Sequence, residues 1–179
     1  MHEWTESPAL RGHMEAVAAC MGAYAELLGA SNRDDWIVAG LLHDFDYEKH
    51  PSKEEHPFVG VRELESKQVD RAILDAILGH APYSGVERES AMAKALFAVD
   101  ELAGFIVACA KVRPTGVEDM KAKSVRKKLK DSRFAAAVSR DDIAIGVTEL
   151  KTIVNDLEES AHIQTCIDAI ANASDAIPI

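Results

Sequence analysis

The chain has 179 residues, with 30 Asp and Glu against 20 Lys and Arg, giving a formal net charge of −10 at pH 7. That length is about one domain and enough to bury a core, while the acidic balance argues against nonspecific nucleic-acid binding, which relies on Lys and Arg neutralising phosphates. No apolar run approaches the roughly 20 residues of a membrane span, and Met1-His2-Glu3-Trp4-Thr5-Glu6 is polar and acidic, unlike a basic-then-apolar leader.

The first element is a helix over 8–28. Leu10, Met14, Val17, Met21, Tyr24 and Leu28 recur at alternating steps of four and three, an apolar stripe of helical period. Ser7 suits the N-cap, Pro8 the first turn and Gly29 the stop. His13 lies on that stripe. Alone, a histidine there is more often a satisfied core residue than a ligand.

The second helix is expected over 34–45, with Trp36, Ile37, Val38, Ala39, Leu41 and Leu42 leading into His43-Asp44-Phe45-Asp46-Tyr47. An imidazole beside a carboxylate at the end of a segment fit for burial is costly unless something pairs with both. A metal ion would. A polar loop with Pro51 follows, in which His50 has no apolar neighbours and reads as solvated. The third helix, 54–66, carries His56 in its first turn, ordinary for an exposed histidine. The fourth, 68–80, places Val69, Ile73, Ala76 and Ile77 in register and ends on His80, where an imidazole also complements the helix dipole.

The longest and most apolar helix is expected over 88–111, with Met92, Leu96, Val99, Ala103, Ile106 and Ala110 facing the core. Asp100 stands four after Leu96 and three before Ala103. Aspartate is almost never fully buried without a partner, so this carboxylate is telling. Beyond Arg113-Pro114-Thr115-Gly116, Lys121, Lys123, Arg126, Lys127, Lys128, Lys130 and Arg133 face a single acid, Asp131. A solvated basic face explains this segment more simply than a phosphate-attracting rim. Ser139-Arg140-Asp141-Asp142 caps a helix with Ile143, Val147 and Leu150 inward, and a last helical region spans 151–172, with His162 lacking acidic or histidine company. Cys20, Cys109 and Cys166 are far apart in apolar contexts and read as small buried hydrophobes of a reducing cytoplasm.

The result is an all-α bundle in one domain, 1–179, with a metal core over 8–112 and a helical extension over 117–175. Its ligands would come from facing helices. His13, His80 and Asp100 each lie on or extend an apolar stripe, and one central ion would satisfy them together. Imidazoles and carboxylates without thiolate suit Fe, Mn, Co, Ni or Zn better than Ca or Mg.

The order His13, His43-Asp44, His56, His80, Asp100 resembles the HD superfamily of metal-dependent phosphohydrolases in its two-metal form, over roughly the first two-thirds of the chain. His56-Pro57-Phe58-Val59-Gly60 is similar to the H-x-x-x-G stretch that follows the dipeptide in two-metal members. The resemblance implies that His13, His43, Asp44 and Asp100 are the shared ligands and that His56 and His80 serve a second divalent ion, with Asp44 bridging. It implies hydrolysis of a small phosphate ester, often a nucleotide, by a metal-activated hydroxide. Asp46 is a candidate general acid or base, and Lys94 and Arg113 are candidates for holding a phosphate. The cyclic-dinucleotide phosphodiesterases of the HD-GYP group carry H-D-I-G-K; here the residues are His43-Asp44-Phe45-Asp46-Tyr47 and no G-Y-P follows, which counts against cyclic-di-GMP. Two other outcomes of the same ligand order stay open: a di-iron oxygenase cleaving a C–C or C–P bond, and an HD domain kept for ligand sensing.

Overall fold

The computed structural model describes residues 1–177; the last two residues of the domain expected over 1–179 lie outside them. Eight α-helices and a single 3-10 turn make up the regular structure, and no strand occurs among the described residues. The architecture is all-α, a helical bundle, as the apolar periodicity predicts.

Helix α1 (Pro8–Leu27) starts on Ser7, whose hydroxyl accepts the Leu10 N–H, and is followed by Gly29 at φ +65°, as the Ser-Pro and Gly signals require. It packs on α2 (Arg33–Leu42), α5 (Ala91–Lys111) and α8 (Glu159–Asn172), burying Met14, Val17, Met21 and Tyr24. The approach of α2 depends on Gly40: a Cβ there would come within 2.8 Å of the Ala18 Cα on α1. That close crossing carries His43, three residues on, toward the face of α1 that bears His13.

Several helices are shorter than the periodicity suggests, each for a local reason. Helix α2 ends at Leu42, not 45, because 43–49 closes into successive turns, with the Tyr47 N–H on Asp44 and the Lys49 N–H on Asp46. Helix α3 (Phe58–Ser66) begins after Pro57, which has no N–H to give and stands at the N-cap. His56 therefore precedes the helix, and it is buried, not exposed. Helix α4 (Arg71–His80) starts where the Asp70 carboxylate accepts the Ala72 N–H, and α5 starts on Ser90, whose hydroxyl accepts the Ala93 N–H. Arg88, expected inside α5, instead clamps Glu149 with two bonds of 2.7 and 2.6 Å and donates to the Gly79 carbonyl. The basic segment forms α6 (Ala122–Leu129), which packs on α8 through buried Ala122 and Val125. Helix α7 (Arg140–Leu150) lies along α5, and 151–158 is a run of turns rather than the start of the last helix.

His162 on α8 is fully buried. Its Nε2 donates to the Ala98 carbonyl of α5, which leaves Nδ1 to accept the Tyr24 hydroxyl proton from α1. One imidazole thus ties three helices. Burial pushes its pKa down to about 4, against about 6.5 for a free imidazole. Between those values the unfolded chain binds a proton that the native ring refuses, so this group costs stability as pH falls. Between pH 7 and pH 4, the stability of wild type relative to a His162→Gln variant should shift by up to ~3 kcal/mol in the variant's favour. Tyr24→Phe should cost about 1–3 kcal/mol at pH 7, because Nδ1 loses its partner. Urea denaturation of the three proteins at several pH values measures both, and a wild-type-to-variant difference that ignores pH would reject the assignment.

Candidate metal centre

Six side chains from five separate places in the chain meet at one point. His13 comes from the middle of α1, and His43 caps the C-terminus of α2 with Asp44 in the turn behind it. His56 precedes α3, His80 is the last residue of α4, and Asp100 sits midway along α5. They form two adjoining triads, His13–His43–Asp100 and Asp44–His56–His80, in each of which the donor atoms lie within 4.8 Å of one another.

In the first triad the His13 Nε2 is 3.0 Å and the His43 Nε2 3.4 Å from Asp100 Oδ1, and the two nitrogens are 3.2 Å apart. In the second, Asp44 Oδ1 is 3.2 Å from His56 Nε2 and 3.3 Å from His80 Nε2. The other Asp44 oxygen turns to the first triad, 3.5 Å from His43 and 3.8 Å from His13. A single carboxylate therefore touches both groups, one oxygen to each.

The proton positions show what the centre is built to receive. His43 Nδ1 donates to the Gly40 carbonyl at 2.8 Å, His80 Nδ1 to the Ile77 carbonyl, and His56 Nδ1 to Asp46 Oδ1 at 2.8 Å. These acceptors have no proton to give, so in all three rings Nδ1 holds the hydrogen and Nε2 faces inward as a bare lone pair or an extra N–H. Two bare Nε2 atoms 3.2 Å apart (His13 and His43) or 3.3 Å apart (His56 and His80) repel unless positive charge stands between them. The titration behaviour agrees. Burial works against a charged His43, but the Asp44 and Asp100 carboxylates outweigh it and hold the ring well above the usual imidazole range. For His56, burial is likewise outweighed by its bonds to Asp44 and Asp46, which push it to about 9. Burial would raise Asp44 and Asp100, yet the facing His43 holds both well below ordinary carboxylates. The centre takes up positive charge, and a donor set of imidazoles and carboxylates oriented through their outer nitrogens fits divalent cations.

Asp46 was expected as a general acid or base, but its place is different. Its side chain is 1 % exposed and both oxygens are engaged, Oδ1 by His56 and Oδ2 by the Gly60 N–H at 2.7 Å. It stands behind His56, away from the cleft, and orients that ring. Gly60 is required for this: a Cβ there would lie 2.8 Å from Asp46 Oδ2 and from the Phe45 ring. The H-x-x-x-G spacing therefore serves the carboxylate behind the histidine, a signal that the sequence held without revealing the partner.

Above the triads opens a cleft of about 670 Å³, within the range of small-molecule sites. His13, Asp44, His56, His80 and Asp100 reach it, while His43 is sealed beneath. One wall carries Tyr47, Lys53 and Tyr83; the other carries Phe97, Glu101, Val138 and Asp142. Neither Lys94 nor Arg113, both expected to hold a phosphate, lines it. Lys94 points across α5 to the Thr152 hydroxyl, and Arg113 folds onto the Gly116 carbonyl and Asp119. Nor does the basic segment 121–133 contribute to the cleft; with Arg113 it borders a separate surface groove. Lys53 and Glu101 also line the cleft; neither stands out in the sequence, since Lys53 lies in an unpatterned loop and Glu101 is an ordinary helical acid next to Asp100. Burial and the Asp100 charge push Glu101 up to about 7.

Such a constellation, in an all-α bundle with an H…HD…H…H…D order, defines a helical metal-site domain. The family model of the HD domain matches residues 10–104, which take in all six side chains and more than half of the chain, and the protein belongs to that family. HD domains bind divalent metals, and the superfamily consists mostly of metal-dependent hydrolases. No curated protein and no solved structure matches the chain.

If Asp46 orients His56, Asp46→Ala should lower metal affinity by about 10–100-fold while the helical content is kept. Gly60→Ala, which displaces the same carboxylate, should act in the same direction. Calorimetric titration of the metal-stripped proteins with Mn2+ or Co2+ decides this, and unchanged affinity in Asp46→Ala would remove Asp46 from the site.

Proposed function

We propose that the protein is a metal-dependent phosphohydrolase acting on a small phosphate ester, a nucleotide or a related phosphomonoester or phosphodiester. The observation that carries this reading is the division of the Asp44 carboxylate between two imidazole groups at the floor of a small-molecule cleft. His13, His43 and Asp100 would hold one divalent ion and His56 and His80 a second, with Asp44 touching both. Bound ions of this kind lower the pKa of water from 15.7 toward about 7 and offset charge on phosphoryl oxygens.

The chain's own residues provide the conditions for that chemistry. The carbonyls of Gly40 and Ile77 and the carboxylate of Asp46 keep three rings turned inward and strengthen them as donors. Two carboxylates at the centre, Asp44 and Asp100, leave part of the charge of two divalent ions unneutralised, so an anionic ester is attracted to the loaded site. With no thiolate in the set, Fe, Mn, Co, Ni or Zn is the fitting choice. Cys20, Cys109 and Cys166 are all buried away from it. No helix among the described residues is long and apolar enough to cross a membrane.

Metal-reconstituted protein should release phosphate from mononucleotides, cyclic nucleotides or sugar phosphates with Mn2+, Co2+ or Fe2+, and should do so in an anaerobic chamber. Asp44→Asn should reduce turnover by on the order of 100-fold or more while helical circular dichroism is retained. Absence of phosphate release from every ester, together with oxygen-dependent substrate loss in the iron form, would transfer the protein to the oxygenase chemistry.

A further inference from the structure

We infer that Lys53, held at the cleft by Tyr83, is the anion anchor that selects a phosphomonoester, an ester whose phosphoryl group carries two negative charges. The inference rests on the phosphohydrolase reading for the chemistry at the floor, and on the cleft walls for the choice of substrate.

Lys53 is the only Lys or Arg among the described residues that line the cleft. Its Nζ lies over the Tyr83 ring, 5.5 Å from the centroid, a cation–π contact that favours the ammonium beside the cleft although the lysine is exposed. No carboxylate lies within ion-pair distance of it among the described residues, although two glutamates follow it directly in sequence. Glu55 is taken by His50 at 3.1 Å and by the Ser52 hydroxyl at 3.0 Å. The ammonium therefore keeps its charge for something else.

The anchoring is built into the metal side of the fold. Tyr83 sits in the 3-10 turn Pro82–Ser84, three residues after His80, and Ser84 pins that turn by donating to the Leu78 carbonyl at 2.7 Å. Tyr47, on the same wall, sets its ring edge-on against His56, with centroids 5.1 Å apart. Lys53 is thus referenced to the two histidines of the second triad. Glu101 and Asp142 also line the cleft, and neither has an ion-pair partner among the described residues, so neither supplies a cation to an incoming anion. For a phosphoryl group at the floor, Lys53 is the one lysine or arginine of the lining that can meet surplus negative charge. A monoester has one more anionic oxygen than a diester, and that oxygen is what Lys53 recognises.

The probes are inorganic phosphate, p-nitrophenyl phosphate and bis(p-nitrophenyl) phosphate, applied to Mn2+-loaded full-length protein. Calorimetric phosphate affinity should drop about tenfold or more in Lys53→Met and be largely kept in Lys53→Arg, as for loss of a charge-assisted hydrogen bond. KM for the monoester should rise similarly with kcat within about twofold, and the diester should be nearly indifferent. Equal phosphate affinity in wild type and Lys53→Met would overturn the anchor, and an equal loss on the diester would overturn the monoester selection. Lys53-dependent phosphate binding without hydrolysis of any ester would leave the anchor standing and reject the phosphohydrolase reading. A wild type that binds no phosphate would reject both.

Discussion

The Asp44 carboxylate is the constraint on which the rest of the molecule depends. One oxygen faces His56 and His80 and the other faces His43 and His13, so the residue must sit where α1, the end of α2, the approach to α3 and the end of α4 all come within reach. His43 keeps helical dihedrals (φ −59°, ψ −37°) at the C-cap of α2, where adjacent side chains diverge by about 100°, so the imidazole and the Asp44 carboxylate face different sides. The chain leaves α2 at Leu42 and turns, which lets the imidazole enter the core and the carboxylate stand between the two groups. The close crossing at Gly40 and the turns over 43–49 are the means by which that placement is reached.

Burying four imidazoles and two carboxylates together would be a large defect in an ordinary core. Here the surrounding structure is organised to keep the groups polar and pointed. Backbone carbonyls one turn upstream hold His43 and His80, and a buried carboxylate with its own backbone donor holds His56. The contrast with His162 is instructive. That ring is equally buried but has a donor on one nitrogen and an acceptor on the other, so it rests neutral with no need of an ion. Two kinds of buried histidine coexist in this chain, and the partner of the second nitrogen distinguishes them.

How much of this was legible in the sequence follows from the same physics. The helices with strong periodicity, α1 and α5, stand close to where the apolar stripes place them, and His13 and Asp100 were visible as polar residues on apolar faces. Helix ends were less legible, because caps such as Asp70 and Ser90 compete with equally plausible sites a few residues earlier. His56 was weak by its own context and is buried only because Asp46 and Gly60 meet behind it, a contact across 10 and 14 residues that no periodicity encodes. Asp46 adjoins the dipeptide yet points behind His56, because successive side chains in a turn point in different directions. Lys94 and Arg113 lie off the cleft for a related reason. They belong to α5 and its exit, but α5 reaches the cleft only through the face that bears Phe97, Asp100, Glu101 and Gly104.

Charge then joins the parts. A chain with a net charge of −10 is a poor collector of anions at long range, but at physiological ionic strength that field is screened over about 8 Å and the groups lining the cleft decide. The carboxylates among them are Asp44, Asp100, Glu101 and Asp142, and Lys53 is the one lysine or arginine. Two divalent ions would add positive charge at the floor, beside the Asp44 and Asp100 carboxylates. Loaded in that way, the cleft would attract an anion more strongly than the metal-free cleft does, with Asp44 setting where the positive charge stands and Lys53 the side toward which free anionic charge would turn.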